Sequence, residues 1–209
     1  LTLRDPAEVE GWAARLGADI LPTGSLRLSR PGQITALPGF AEGAWWVQDA
    51  AAALPARLLG ARPRKRVLDL CAAPGGKTLQ LAAAGADVTA LDIADDRLAR
   101  LRDNLARTGL TAGTVQADAL TWSPPAPFDA ILLDAPCTAT GTLRRHPDLP
   151  HLRRPGDAAR LAALQDRLLD RAAGWLKPGG VLVFATCSLL PVEGEERALA
   201  FLRRTASAR

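Results

Sequence analysis

Methionine is absent from the 209-residue chain, cysteine occurs three times, and aromatic residues make up only 4% of it. Three cysteines cannot all pair within one chain, so reduced thiols are expected and a disulfide framework is excluded. Cys71, Cys137 and Cys187 also lack the close spacing of a metal-binding motif, and no metal is expected. No segment approaches the roughly 18 uninterrupted apolar residues of a membrane helix. The start lacks the basic-then-apolar layout of a secretory signal, and a soluble, cytoplasmic protein is expected. With no methionine and Leu1 in first position, the sequence reads as a piece of something longer.

What is present is a globular composition. Apolar residues account for 48% and charged residues for 23%, which argues against disorder, collagen and coiled coil. Basic residues outnumber acidic ones by 26 to 22, a net charge of +4 that leans toward a polyanionic partner. Placement is more informative than the total. Arg144, Arg145, Arg153 and Arg154 fall within eleven residues that contain one acid, Asp148. A nucleic-acid contact and a solvated arginine-rich loop both account for that cluster.

Residues 1–60 read as a small α+β appendage, with a helix opening at Asp5-Pro6, a strand at Leu26-Arg27-Leu28 and a lead-in helix from Gln48 to Leu59. From residue 61 to 209, short β-type runs alternate with helical stretches, the pattern of a doubly wound, mostly parallel α/β sheet. The predicted strands are Arg66 to Leu70, Asp87 to Ile93, Gly113 to Ala117, Ala130 to Leu133 and Val181 to Ala185. Helical spacing of Leu98, Leu101 and Leu105 predicts a helix over Asp95 to Thr108. A second, over Asp157 to Leu176, is expected to stop at Lys177-Pro178-Gly179-Gly180.

Ligands of such sheets bind beyond the carboxyl ends of the strands, and there the unusual residues gather. The first strand turns through Cys71-Ala72-Ala73-Pro74-Gly75-Gly76-Lys77-Thr78 into a helix, whose N-terminus offers unpaired N–H donors. The second ends at Asp92, placed to accept the hydroxyls of a ribose. Residues 71–78 do not supply a dinucleotide fingerprint. Gly76-Lys77-Thr78 fits the end of a phosphate-cradling loop, but Cys71 stands where that loop needs its first glycine. A P-loop NTPase therefore stays as an alternative. Asp92 and Asp118 favour instead a nucleoside cofactor carrying an amino group and a sulfonium, as S-adenosylmethionine does.

Asp134-Ala135-Pro136-Cys137 follows the fourth strand and Thr186-Cys187-Ser188 the fifth, which places two thiols and an acid at one cleft. A lone cysteine at a strand end is more often a small buried apolar residue; two at neighbouring ends point to chemistry. A thiolate adding to carbon 6 of a pyrimidine makes carbon 5 nucleophilic enough to take a methyl group, and a nearby acid can assist at the ring nitrogen.

The blocks Asp69 to Thr78, Leu133 to Asp148 (LDAPCTATGTLRRHPD) and Ala185 to Ser188 resemble the signature of the S-adenosylmethionine-dependent RNA cytosine-5 methyltransferases, most closely their bacterial ribosomal branch. Ala36 to Phe40 and Val47 to Ala50 are similar as well. The resemblance implies a class I, Rossmann-like methyltransferase acting on small-subunit ribosomal RNA, here as a monomer. It implies Cys187 as nucleophile, Cys137 as the thiol that assists breakdown of the adduct, and Asp134 and Lys77 as residues that orient the base and the site. Cofactor contacts would come from Cys71, Ala72, Ala73, Pro74, Gly75, Gly76, Lys77, Asp92, Asp118 and Asp134. RNA contacts would come from Arg144, Arg145, His146, Arg153 and Arg154. The family's C-terminal hairpin and N-terminal helical domain have no counterpart here, so weak or absent activity of this chain alone is expected, and a silent RNA-binding module is a further alternative.

Overall fold

The computed structural model describes residues 1–205; the last four residues of the predicted catalytic domain lie outside the described residues. The N-terminal unit contains β1 (Thr2–Leu3), α1 (Val9–Leu16), β2 (Asp19–Ile20), β3 (Leu26–Arg27) and β4 (Trp45–Trp46). Strands β1 and β4 pair antiparallel, as do β2 and β3, around a core of Leu3, Ala13, Leu26 and Trp45. Gly17, in the left-handed conformation, closes α1 as expected for glycine after the last turn. The short helix α2 (Leu54–Leu59) leads into the second unit.

That unit is one parallel sheet of β5 (Arg66–Leu70), β6 (Asp87–Asp92), β7 (Gly113–Gln116), β8 (Phe128–Asp134) and β9 (Leu176–Ala185), in the order β7-β6-β5-β8-β9. Helices α3 (Gly76–Ala83), α4 (Asp95–Thr108), the short α5 (Leu149–Leu152), α6 (Asp157–Gly174) and α7 (Glu195–Arg204) complete the chain. Alternate residues of β5 serve opposite faces, as the two-residue strand period requires. Leu68 and Leu70 pack with Leu168, Trp175 and Phe201, while Val67 packs with Leu81 and Leu59. The strand order reverses between β5 and β8, so the crevice beyond their ends is the switch point where ligands of such sheets sit. Among the described residues no helix is long and apolar enough to cross a membrane.

Helix α4 spans the predicted residues, with Leu98, Leu101 and Leu105 buried, two aspartates in its first turn and Gly109 at its end. Two expectations need correction. The Gln48 to Leu59 helix shrinks to six residues, because the Asp49 carboxylate takes the Ala51 N–H and bends the chain into turns first. Lys177-Pro178-Gly179-Gly180 does not separate helix from strand; α6 ends at Gly174 and the tetrapeptide lies inside β9. The register jumps from Phe128 opposite Leu176 to Ala130 opposite Val181, so the extra residues bulge out and Pro178 needs no ladder partner.

The two units are clamped at the end of α4. The Arg107 guanidinium donates to the carbonyls of Phe40 (2.7 Å) and Trp45 (3.1 Å), and Arg4 donates to that of Thr108 (3.0 Å). Gly43, with φ of 66°, lies so close that an added Cβ would stand 2.1 Å from the Arg107 carbonyl oxygen. Gly43→Ala is expected to cost more than about 2 kcal/mol, from left-handed strain together with that backbone clash, read as a lower urea midpoint.

Candidate active site

The loop leaving β5 is built from small residues because it must turn sharply over the sheet. Cys71 adopts a left-handed φ of 63° and Gly75 one of 105°. A Cβ on Gly75 would fall 2.7 Å from Leu101 Cγ, so glycine here lets the loop settle onto α4. Asp92, 2% exposed at the end of β6, secures the loop by accepting the Ala73 N–H and its own turn by accepting the Ala94 N–H, each at 3.0 Å. Arg97 lies 3.7 Å from that carboxylate and also donates to the Ala73 carbonyl. Asp118, exposed beyond β7, accepts the Leu120 N–H at 2.9 Å.

Beneath the loop, Asp69 is fully buried on the α3 side of β5. One oxygen accepts the Thr78 hydroxyl at 2.6 Å; the other has no partner. Burial pushes its carboxyl up to about 7, against the opposing effect of the Thr78 hydrogen bond. Lys77 is bound at 2.6 Å to Asp134 at the end of β8. These contacts bear on the phosphate-loop alternative, because the lysine and hydroxyl that such a loop would turn toward phosphate and magnesium are both committed to aspartates. The Cys71 thiol, pushed up to about 12 by burial and neighbouring carboxylates, is chemically quiet.

The two other cysteines meet. Cys137 Sγ and Cys187 Sγ are 3.4 Å apart, Cys187 exposed and Cys137 half-buried. β8 and β9 are hydrogen-bonded neighbours, and the Ala135 N–H to Ala185 carbonyl bond (2.9 Å) extends the ladder to the residues just before each turn. The Cys187 carbonyl then accepts the Gly141 N–H at 2.9 Å, an approach that a Cβ on Gly141 would block at 2.7 Å. At 3.4 Å the sulfurs are within hydrogen-bonding distance, so their titrations are linked. The hydrogen bond from Cys187 holds Cys137 down to about 6, helped by Thr186 and the Ala139 and Cys187 backbone. That same bond, together with burial, pushes Cys187 up. Of the two, Cys137 is therefore the sulfur that ionises first.

Asp134 joins the two halves: it binds Lys77 and its charge adds to the shift of Cys187. Arg144, Arg145 and His146 are exposed on the segment following the turn at Thr140–Thr142. Arg153 is more committed than its sequence position implies, donating to the Thr138 carbonyl at 2.9 Å with its guanidinium 3.5 Å from that of Cys137. Arg154 is exposed, and its N–H donates to Asp157 at 3.0 Å. Arg97, Gln165 and Glu193 carry no sequence signal, and Thr138 is set apart within the 133–148 block only by its contacts. Glu193 stands in an acidic run that reads as the first turn of a helix, and only its burial sets it apart.

A family model described as "16S rRNA methyltransferase RsmB/F" matches residues 56–209. The chain is 50% identical over 189 residues to Ribosomal RNA small subunit methyltransferase B of Salmonella arizonae, a match covering 88% of this chain and 44% of that protein. The chain thus spans about half the length of the curated relatives it matches. A methyltransferase homolog from Pyrococcus horikoshii superimposes with a TM-score of 0.84 at 31% identity, covering 97% of this chain and 68% of its own. NSun6 from the same organism, solved with SFG, superimposes with a TM-score of 0.76 at 31% identity, covering 83% of this chain and 46% of its own.

Proposed function

Since the chain belongs to the RsmB/F family of 16S rRNA methyltransferases, we propose that it transfers the methyl group of S-adenosylmethionine to carbon 5 of a cytosine in ribosomal RNA, through a transient bond to Cys187. The observation that carries this reading is the pair of sulfurs 3.4 Å apart at neighbouring strand ends, beside Asp134. In the same reading residues 1–60 are an RNA-binding appendage, residues 61–209 the catalytic domain, and the protein a cytoplasmic monomer.

The cofactor fits the groups present. A glycine loop leaving β5, with Asp92 and Asp134 at the ends of the two flanking strands, Asp118 beyond β7 and an orphaned buried oxygen on Asp69, suits a ligand rich in hydroxyls and positive charge better than a triphosphate. Asp92 and the loop from Cys71 to Lys77 would hold it, and it supplies an electrophilic methyl on a sulfonium. The remaining chemistry belongs to the chain. Cys187 Sγ bonds to carbon 6 of the base as its proton passes to the Cys137 thiolate, and the ring electrons shift toward carbon 5. Asp134, held by Lys77, hydrogen-bonds the base as charge develops on the ring. When the Cys137 proton has gone to solvent, that sulfur takes the hydrogen leaving carbon 5, the carbon–sulfur bond breaks, and one net proton is released.

The base must be single-stranded or swung out to enter. Arg144, Arg145, His146, Arg153 and Arg154 would flank it. Arg144→Ala with Arg145→Ala is expected to weaken RNA binding regardless of sequence and to reduce the slope of log K against log salt by roughly 1.4, since each phosphate contact on a single strand contributes about 0.7. Titration at several salt concentrations checks it.

The test is calorimetry with S-adenosylmethionine and with magnesium–ATP, followed by trapping on 5-fluorocytosine-containing RNA. Binding of the first ligand, no binding of the second and a covalent adduct are expected. Trapping should rise with pH through about 6 and then level, since the proton-accepting thiolate is present above that value and protonated below it. Magnesium-dependent ATP binding would overturn the reading in favour of a P-loop enzyme. Salt-sensitive RNA binding without an adduct would leave a silent RNA-binding module.

A further inference from the structure

We infer that Glu193 is a positioning residue that fixes the Cys137 loop against the Cys187 loop and thereby sets the distance between the two sulfurs. Glu193 is 0% exposed, in the turn Pro191–Glu193 that follows the Cys187 loop. A carboxylate taken wholly out of water is costly unless hydrogen bonds compensate. Among the described residues none of the ion pairs includes Glu193. Both of its oxygens are instead spent on one residue. Oε1 accepts the Thr138 N–H at 2.9 Å and Oε2 accepts the Thr138 hydroxyl. Thr138 directly follows Cys137, so the carboxylate holds the backbone that aims that sulfur.

The rest of the contact is built around this anchor. The Ser188 hydroxyl lies 3.3 Å from Thr138 Oγ1 and 3.2 Å from Thr140 Oγ1, and the Leu189 N–H donates to Thr140 Oγ1 at 2.8 Å. From the other side, Gln165 of α6 donates to the Pro136 carbonyl at 2.8 Å and Arg153 to that of Thr138 at 2.9 Å. Three consecutive residues, 136 to 138, are therefore gripped from three directions, and Glu193 alone ties them to the segment that follows Cys187 through two bonds. A neutral glutamine or an apolar residue would fill a purely structural position at lower desolvation cost. Two strong bonds beside a sulfur pair serve instead to hold one thiol at hydrogen-bonding distance from another.

The inference concerns the cysteine geometry, and only its consequence for turnover rests on the methyltransferase reading. The test follows iodoacetamide alkylation of Cys137 and Cys187 in the full chain between pH 5 and 10, each site resolved by mass spectrometry. In wild type the Cys137 midpoint is expected near 6; in Glu193→Ala it should move toward the ordinary thiol value of 9.0, and alkylation at pH 7 should fall by about 3-fold or more. Glu193→Gln keeps an acceptor for the Thr138 N–H and should retain the low midpoint. S-adenosylmethionine affinity should be unchanged, because Glu193 touches nothing in the 71–77 loop. Should Glu193→Ala fail to fold, Thr138→Val removes one of the two bonds and should give an intermediate midpoint. A wild-type midpoint in whichever of these two variants folds, or a midpoint near 9 in wild type itself, would overturn the inference. Shifted midpoints without methyl transfer by any form of the protein would sink the proposed function and leave the positioning role standing.

Discussion

Cys187→Ala should abolish both methyl transfer and covalent trapping, lowering the rate by more than roughly 10⁴-fold, the scale on which removal of a nucleophile is felt. Cys137→Ala should behave differently, keeping adduct formation but stalling with RNA attached. The contrast follows from the linked titrations. Cys137 ionises first because of the hydrogen bond with Cys187, so it is intrinsically the weaker nucleophile but the sulfur left unprotonated to take up a proton at neutral pH, while exposed Cys187 has access to a base. Without Cys137, Cys187 must lose its proton to water, and above neutral pH it still adds to the ring. What disappears is the sulfur that removes the hydrogen from carbon 5. Gel-shift trapping of both variants on 5-fluorocytosine-containing and ordinary RNA decides the matter. The reverse pattern, trapping lost with Cys137→Ala and kept with Cys187→Ala, would make Cys137 the nucleophile, as its readier ionisation taken alone would imply.

The second large effect is on stability. Asp69 titrates near 7 in the folded protein against 3.8 for an unperturbed aspartate. For an acid whose folded value is raised, the native state holds a proton that the unfolded chain has already lost. Stability therefore falls as pH rises from about 4 to about 7, by ~4 kcal/mol in all at 1.36 kcal/mol per pH unit. Asp69→Asn removes that slope. Its carbonyl can still accept the Thr78 hydroxyl, and the variant should become more stable than wild type above pH 7. Urea melts of both proteins at pH 5, 6, 7 and 8 give the difference directly, with contributions common to the two cancelling. Parallel curves would show that Asp69 is ionised in the native state and compensated by Lys77.

The fold was legible wherever a single period dominated. Helix α4 matches its expected ends because leucines at 98, 101 and 105, acids at 95 and 96, and Gly109 all agree. Strands β5, β6 and β8 are short, largely apolar runs buried on both faces, too short for a helix of this sheet's layers. The misreadings fall where a local signal has two meanings. Lys177-Pro178-Gly179-Gly180 carries the composition of a helix stop, and whether it ends the preceding helix or bulges from the following strand depends on the partner across the ladder. The alanines before Leu54 have high helix propensity, but a single hydrogen bond from the Ala51 N–H to the Asp49 carboxylate outweighs it in so short a segment.

The residue types and their order along the chain were enough to specify a parallel α/β sheet, a glycine loop at its switch point, and two cysteines at the ends of adjacent strands, because period, turn chemistry and strand-end placement are local properties. The separation of the sulfurs, the commitment of Lys77 and Thr78 to aspartates, the diversion of Arg153 to a backbone carbonyl and the burial of Glu193 were settled by packing. Each depends on groups distant in sequence, such as Thr138 and Glu193, entering one water-free volume. There an oxygen's worth is set by whichever donor it finds.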